Sequence, residues 1–215
     1  MDECFEYFLG NFGPQFDRVR PSISDIEKFR PKLPAKLLEY WQDFGWGGFH
    51  DGLFWLVNPS EYTEVVSAWL GDTNIQGRDN YFAVARTAFG RLFLWNKSYG
   101  QAVTISPLLA EIITRPTNKS VLAGDDVSAV EAFLATKEPN SLDIEDEKEK
   151  KIFKRAVKKL GTLKSDEMYG FEPALVIGGT PKLENLTKVK IIEHLILLQQ
   201  FGDVEVLHMD VSRHL

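Results

Sequence analysis

Apolar positions in this chain change period several times, and the sharpest change lies between Leu33 and Asn58, LPAKLLEYWQDFGWGGFHDGLFWLVN. Leu37, Leu38, Trp41 and Phe44 recur at helical spacing behind Leu33 and Pro34, with proline in the first turn where a missing N–H is harmless. Gly45 stands where a left-handed residue ends such a helix. Trp46-Gly47-Gly48-Phe49 turns the chain, and Leu53 to Val57 is an unbroken apolar run of strand length. Three of the five tryptophans fall in this span, so the pattern predicts a core built around a helix, a glycine corner and a buried strand.

The same reading extends in both directions. Phe5, Phe8 and Leu9 anchor a short helix over 3–9, and Gly10 to Pro21 reads as loop. Ser24 with Glu27 has the spacing of a capping box for a short helix through Phe29. Asn58-Pro59 opens a helix carrying Tyr62, Val65, Val66 and Trp69, ended by Gly71, and 72–80 is polar loop. Tyr81–Thr87, Arg91–Asn96, Ala102–Ser106 and Leu108–Thr114 are β-rich runs, with Ala88-Phe89-Gly90 as a hairpin turn and Pro107 between strands, where it costs no ladder bond. Asp125-Asp126 starts a helix with Val127, Val130, Phe133 and Leu134. An acidic connector, 138–146, precedes an amphipathic helix over 147–160, capped by Gly161. A short strand over 173–177, a helix over 186–201 and a brief β pattern at Val204 and Val206 complete the chain. These elements define an α+β class: helices packed on a mostly antiparallel sheet, in two small lobes that form one compact body. The lobes are expected at 1–115 and 116–215, with their boundary between 80 and 125.

Composition changes this picture little. A chain of 215 residues with 44% apolar content can bury roughly 70% of its unfolded surface without staples. Cys4 has no second cysteine to pair with, as suits a reducing compartment. The acidic N-terminus lacks a basic leader region, and no apolar run has the length of a membrane span, so a cytoplasmic protein is expected.

Charge adds more. The net charge is −6, with excess acid over 1–80 and 124–147 and excess base over 81–123 and 148–164. An acidic protein repels nucleic-acid backbones and suits a basic partner. The lysines over 148–164 lie toward the C-terminus of their helix, where they complement its dipole without any ligand.

Candidate chemistry is sparse. His50 and Asp51 adjoin in the glycine corner; His194 has no second ligand one helical turn away; His208, Asp210 and His214 are grouped in the tail, without a fourth ligand. Cys4 has no histidine partner in sequence. No nucleophile elbow, phosphate loop or dinucleotide fingerprint occurs. Paired acids sit at solvated helix starts, unlike a catalytic dyad. The sequence therefore predicts no catalytic residue, no metal and no cofactor, and favours binding over catalysis.

Several stretches carry a family likeness. The Leu33–Asn58 element resembles the GAD-like domain of bacterial proteins. The FGRLFLWN run at 89–96 with VTISP at 103–107, the DEMYGFEPALVIGG run at 166–179 and LENLTKVKIIEHL at 183–195 resemble the C-terminal domain found with it in immunity proteins of type VI secretion DNase effectors. That resemblance implies a bacterial cytosolic, non-enzymatic protein that binds its cognate DNase toxin and stops it cutting DNA. Charge and hydropathy separately lead to no direct nucleic-acid or membrane contact, and the sequence leaves the oligomeric state open, with a monomer as the expectation. Two surfaces are candidates for the contact. One joins Trp46, Phe49, His50 and Asp51 of the glycine corner with Asp72 and Asp79, on the expectation that the aromatic rings are exposed beside acids. The other is the acidic connector, Asp143, Glu145, Asp146 and Glu147. A general interaction module without a nuclease partner, and an enzyme using His50 or the tail histidines, are the alternatives.

Overall fold

The computed structural model describes residues 2–209. Its first half supplies α1 (Glu3–Phe12), β1 (Phe16–Val19), α2 (Ile23–Phe29), α3 (Ala35–Phe44), β2 (Trp46–Phe49), β3 (Phe54–Leu56) and α4 (Thr63–Leu70). A meander follows: β4 (Phe82–Thr87), β5 (Leu92–Asn96), β6 (Gly100–Ser106) and β7 (Glu111–Thr114). The remainder holds α5 (Lys119–Leu122), α6 (Asp126–Ala135), α7 (Pro139–Leu142), α8 (Phe153–Leu160), β8 (Glu167–Phe171), β9 (Leu186–Lys190), α9 (Ile191–Gln199) and β10 (Glu205–His208).

Eight strands form one sheet in the order β1-β2-β3-β4-β5-β6-β7-β10, antiparallel except for the parallel β7–β10 pair. β8 and β9 make a separate antiparallel ribbon. This is the expected α+β class with a mostly antiparallel sheet. The brief β pattern at Val204 and Val206 becomes β10, with Glu205–His208 paired in register to Glu111–Thr114.

Aromatic residues fill the core. α1 presents Phe5, Phe8 and Phe12, with the Phe8 ring 5.1 Å from Phe49 and 5.5 Å from Phe54. Phe29 of α2 meets Trp41 of α3 edge-on at 5.8 Å. Phe133 of α6 stands edge-on to Phe93 and Trp95 of β5, each at 5.9 Å. Trp69 of α4 donates its indole N–H to the Leu195 carbonyl of α9 at 3.0 Å. Buried apolar residues from both halves of the chain belong to one continuous core. No lobe boundary falls at residue 80, because β3 and β4 are hydrogen-bonded neighbours across it.

Several local expectations are corrected. Phe16–Val19 is a strand rather than loop, paired with β2. A Cβ on Gly48 would lie 2.7 Å from the Phe16 ring, so the close approach of β1 depends on the glycines of β2. α1 runs through Gly10. The capping box of α2 is Ser22 with Asp25, not Ser24 with Glu27. Gly71 ends α4 in a right-handed conformation. Residues 173–177 form no strand; Leu175–Ile177 is a single 3-10 turn. The expected helix over 186–201 begins only at Ile191, since Leu186, Thr187 and Val189 alternate with lysines and pair with β8. The expected helix over 147–160 begins at Phe153 because the Asp146 carboxylate holds the preceding residues in a turn.

Candidate functional site

The glycine corner joins β2 to β3. His50 and Asp51 both have left-handed backbones, φ 50° and 55°, followed by Gly52 at φ 95°. Consecutive non-glycine residues in that region carry strain, which the surrounding packing must offset. Here Trp55 donates its indole N–H to the Gly52 carbonyl at 2.8 Å, and Phe49 pairs directly with Phe54. Trp46 is 6% exposed and Phe49 fully buried, so the expectation of exposed rings at this corner is corrected: both fill the core. The half-buried His50 ring lies 6.0 Å from Phe12 and 6.3 Å from Phe153 of α8. Asp51 is left exposed at the tip.

Register decides which acids share a surface. Phe54 pairs with Thr87, which puts the corner at the Thr87 end of β4. Asp72 and Asp79 are exposed in the loop that enters β4 at Phe82, five residues away along the strand, or about 17 Å. The structure thus separates Asp72 and Asp79 from Asp51. It instead brings the corner beside the acidic connector, because Phe153, the first residue of α8, touches His50.

Two acids of that connector serve the loop itself. Asp143 accepts from the backbone N–H groups of Ile144 at 2.7 Å and Phe153 at 3.0 Å, which caps α8. Burial pushes its carboxyl above the usual range, against the pull of these N–H donors. Asp146 accepts from the N–H groups of Lys148 and Lys150 at 2.9 and 3.0 Å and pairs with Arg155 at 2.7 Å. The Lys150 N–H, aided by Arg155 and the Lys148 N–H, holds its carboxyl at about 2 despite burial. Glu145 and Glu147 are exposed, in ion pairs with Lys151 at 3.1 Å and Lys182 at 3.2 Å. Of the candidate acids at this end, Asp51, Glu145 and Glu147 therefore face solvent.

Beside them opens an apolar cleft of about 270 Å³ lined by Phe89, Leu108, Leu142 and Ile144, with Arg91 and Glu145 among its polar residues. Arg91 escaped the sequence reading. Its signal is a base opening an apolar strand in an acidic chain, directly after the turn glycine Gly90.

The described histidines stand apart from one another. His194 lies against β8, where a Cβ on Gly170 would come within 2.8 Å of its Nε2. His208 shares a 2.7 Å hydrogen bond with the Thr114 hydroxyl. Asp210 and His214 lie outside the described residues. Among the described residues, no three His, Cys, Asp or Glu side chains are grouped to hold a metal ion.

Burial lowers the imidazoles of His50 and His194 below their ordinary range. The unfolded chain therefore takes up these protons first, so stability is complete above about pH 6.5 and falls as pH drops below it. Urea midpoints at pH 7.5 and 5.5 should differ, with the acid value lower. His50→Asn, which keeps a side chain tolerant of the left-handed backbone, should narrow that gap. An unchanged gap would contradict the role given to His50.

Compared with known proteins, the region that carries the strained corner between β2 and β3 is of the GAD-like class: the GAD-like domain model matches residues 3–109. A second model, T6SS immunity protein Tdi1, C-terminal, matches residues 127–202. The chain thus joins a GAD-like region to a T6SS immunity domain, which gives it a toxin-immunity role and a toxin protein as partner. The crystal structure of Atu4351 from Agrobacterium tumefaciens is similar to it, with a TM-score of 0.88 at 25% identity, over 97% of this chain and 94% of that one. None of the curated proteins matches the chain. No helix among the described residues is long and apolar enough to cross a membrane.

Proposed function

We propose that this chain is a non-enzymatic immunity protein that binds a type VI secretion DNase in the bacterial cytoplasm and inhibits it one-to-one, by occluding its active site or DNA-binding groove. The match of residues 127–202 to the Tdi1 immunity domain carries this reading. Physical support comes from charge. A DNase presents a basic groove to phosphates, and a chain of net −6 is attracted to such a groove while being repelled by the DNA itself. Asp51, Glu145 and Glu147 offer exposed carboxylates at one end of the sheet, around a cleft able to take an apolar anchor. Asp72 and Asp79 lie at the other end and are assigned no contact. Trp46 and Phe49 act by fixing the corner that presents Asp51.

Expressing the effector encoded beside this gene, with and without this chain, in one bacterial host tests the reading. Survival with intact chromosomal DNA only when the chain is present is expected. Fragmented DNA in both cultures would contradict immunity, and killing without fragmentation would contradict a DNase partner.

A further inference from the structure

We infer that Arg91, Arg115 and Lys137 form an acceptor for paired carboxylates of the toxin, an inference that rests on the toxin-binding reading above. The three residues are far apart in sequence. Arg91 precedes β5, Arg115 follows β7 and Lys137 follows α6. On the α6 side of the sheet they meet. The Lys137 ammonium stands 4.6 Å from the Phe93 ring centre and 4.4 Å from that of Phe133. Thr104 is the cross-strand partner of Phe93, and the Arg115 guanidinium donates to its hydroxyl at 3.2 Å.

Among the described residues, none of the three cations forms an ion pair, in a chain that carries more acids than bases. Burial, then Arg115 and Arg91, depress the Lys137 ammonium to about 8. Arg91 is likewise lowered by burial and by Arg115, with Glu111 of β7 acting against this from beyond ion-pair distance. Three like charges, two of them partly buried, gathered with no ion pair among the described residues weaken the fold, and such clusters mark sites where function sets the arrangement.

The occupant follows from the surroundings. A long polyanion meets the net negative charge, and Glu145 beside Arg91, along its whole length, whereas a local pair of carboxylates can face the three cations alone. Arginine binds carboxylate in a forked geometry, and the rings of Phe93 and Phe133 keep the Lys137 ammonium poorly hydrated. Nucleases that work through divalent ions gather carboxylates around the metal, which supplies this chemistry on the toxin. Arg91 also borders the apolar cleft, so one contact can seat an apolar anchor beside the acids.

Calorimetric titration of the full chain into the effector encoded beside its gene tests the assignment, with wild type, R115Q/K137M and K137R compared. Wild type should bind, R115Q/K137M should bind about 100-fold more weakly, and K137R should stay close to wild type. The melting temperature of R115Q/K137M should equal or exceed that of wild type, an outcome that a merely structural cluster would not give. R115E alone, at an exposed position, carries the test if the double variant fails to fold, again with loss of affinity expected. Wild-type affinity in the folded variants would overturn the inference and leave the toxin-binding reading standing. No binding by wild type would remove that reading and the inference with it. Binding of a 20-base-pair DNA duplex by the free chain, lost in R115Q/K137M, would make this a phosphate site and overturn the carboxylate assignment.

Discussion

Trp69→Ala should lower the stability of the chain by about 4 kcal/mol and its melting temperature by roughly 10 °C. Trp69 is one of the largest fully buried side chains, and its ring lies between α4 of the GAD-like region and α9 of the Tdi1-type region. Truncation leaves a cavity between the two helices and removes the only side chain of α4 that donates to α9, the 3.0 Å bond to the Leu195 carbonyl. Trp69→Phe refills most of the volume but not the bond, so its loss should be smaller, about 1–3 kcal/mol. Thermal denaturation of the two variants checks the order. Equal, small losses would mean that the α4–α9 contact contributes little to joining the two regions.

The second large effect concerns binding. Asp51→Asn with Glu145→Lys and Glu147→Lys should weaken toxin binding by about 100-fold at low salt and flatten its dependence on ionic strength, because charged groups at an interface rim act mainly through steering and long-range attraction. Asparagine is chosen at Asp51 because it tolerates the left-handed backbone there. Asp72→Lys with Asp79→Lys, at the opposite end of β4, should leave affinity and salt dependence close to wild type. The reverse result would move the interface to the loop that enters β4. Asp143 and Asp146 are unsuitable probes, since their carboxylates hold the α7–α8 loop and their removal would disturb the fold first.

Much of the fold is legible where local pattern and packing agree. Leu37, Leu38 and Trp41 announce α3, and the alternating or unbroken apolar runs over 81–114 announce β4 to β7. What is not legible depends on distant neighbours. β1 exists because Gly47 and Gly48 let Phe16 come close, a fact held thirty residues further on. β9 reads as the start of a helix until β8 supplies its partner. The run Asp143 to Glu147 looks uniform in sequence, yet two of its acids are committed to backbone N–H groups and two face solvent. Trp46 and Phe49 look exposed beside glycines, but the same glycines allow the sheet to close over them. Arg91, Arg115 and Lys137 share no local pattern and meet only through β5, β6 and α6.

These observations converge on one end of the sheet, where the strained corner, the cleft and the solvent-facing acids lie together. One-to-one inhibition of a DNase by occlusion, as proposed, is open to a cleavage titration. The purified effector encoded beside this gene would be mixed with plasmid DNA at physiological salt and the full chain added in steps. Cleavage should stop at one equivalent, and the complex should elute as a single one-to-one species. Cleavage that continues unchanged past several equivalents, with the two proteins eluting separately, would contradict it.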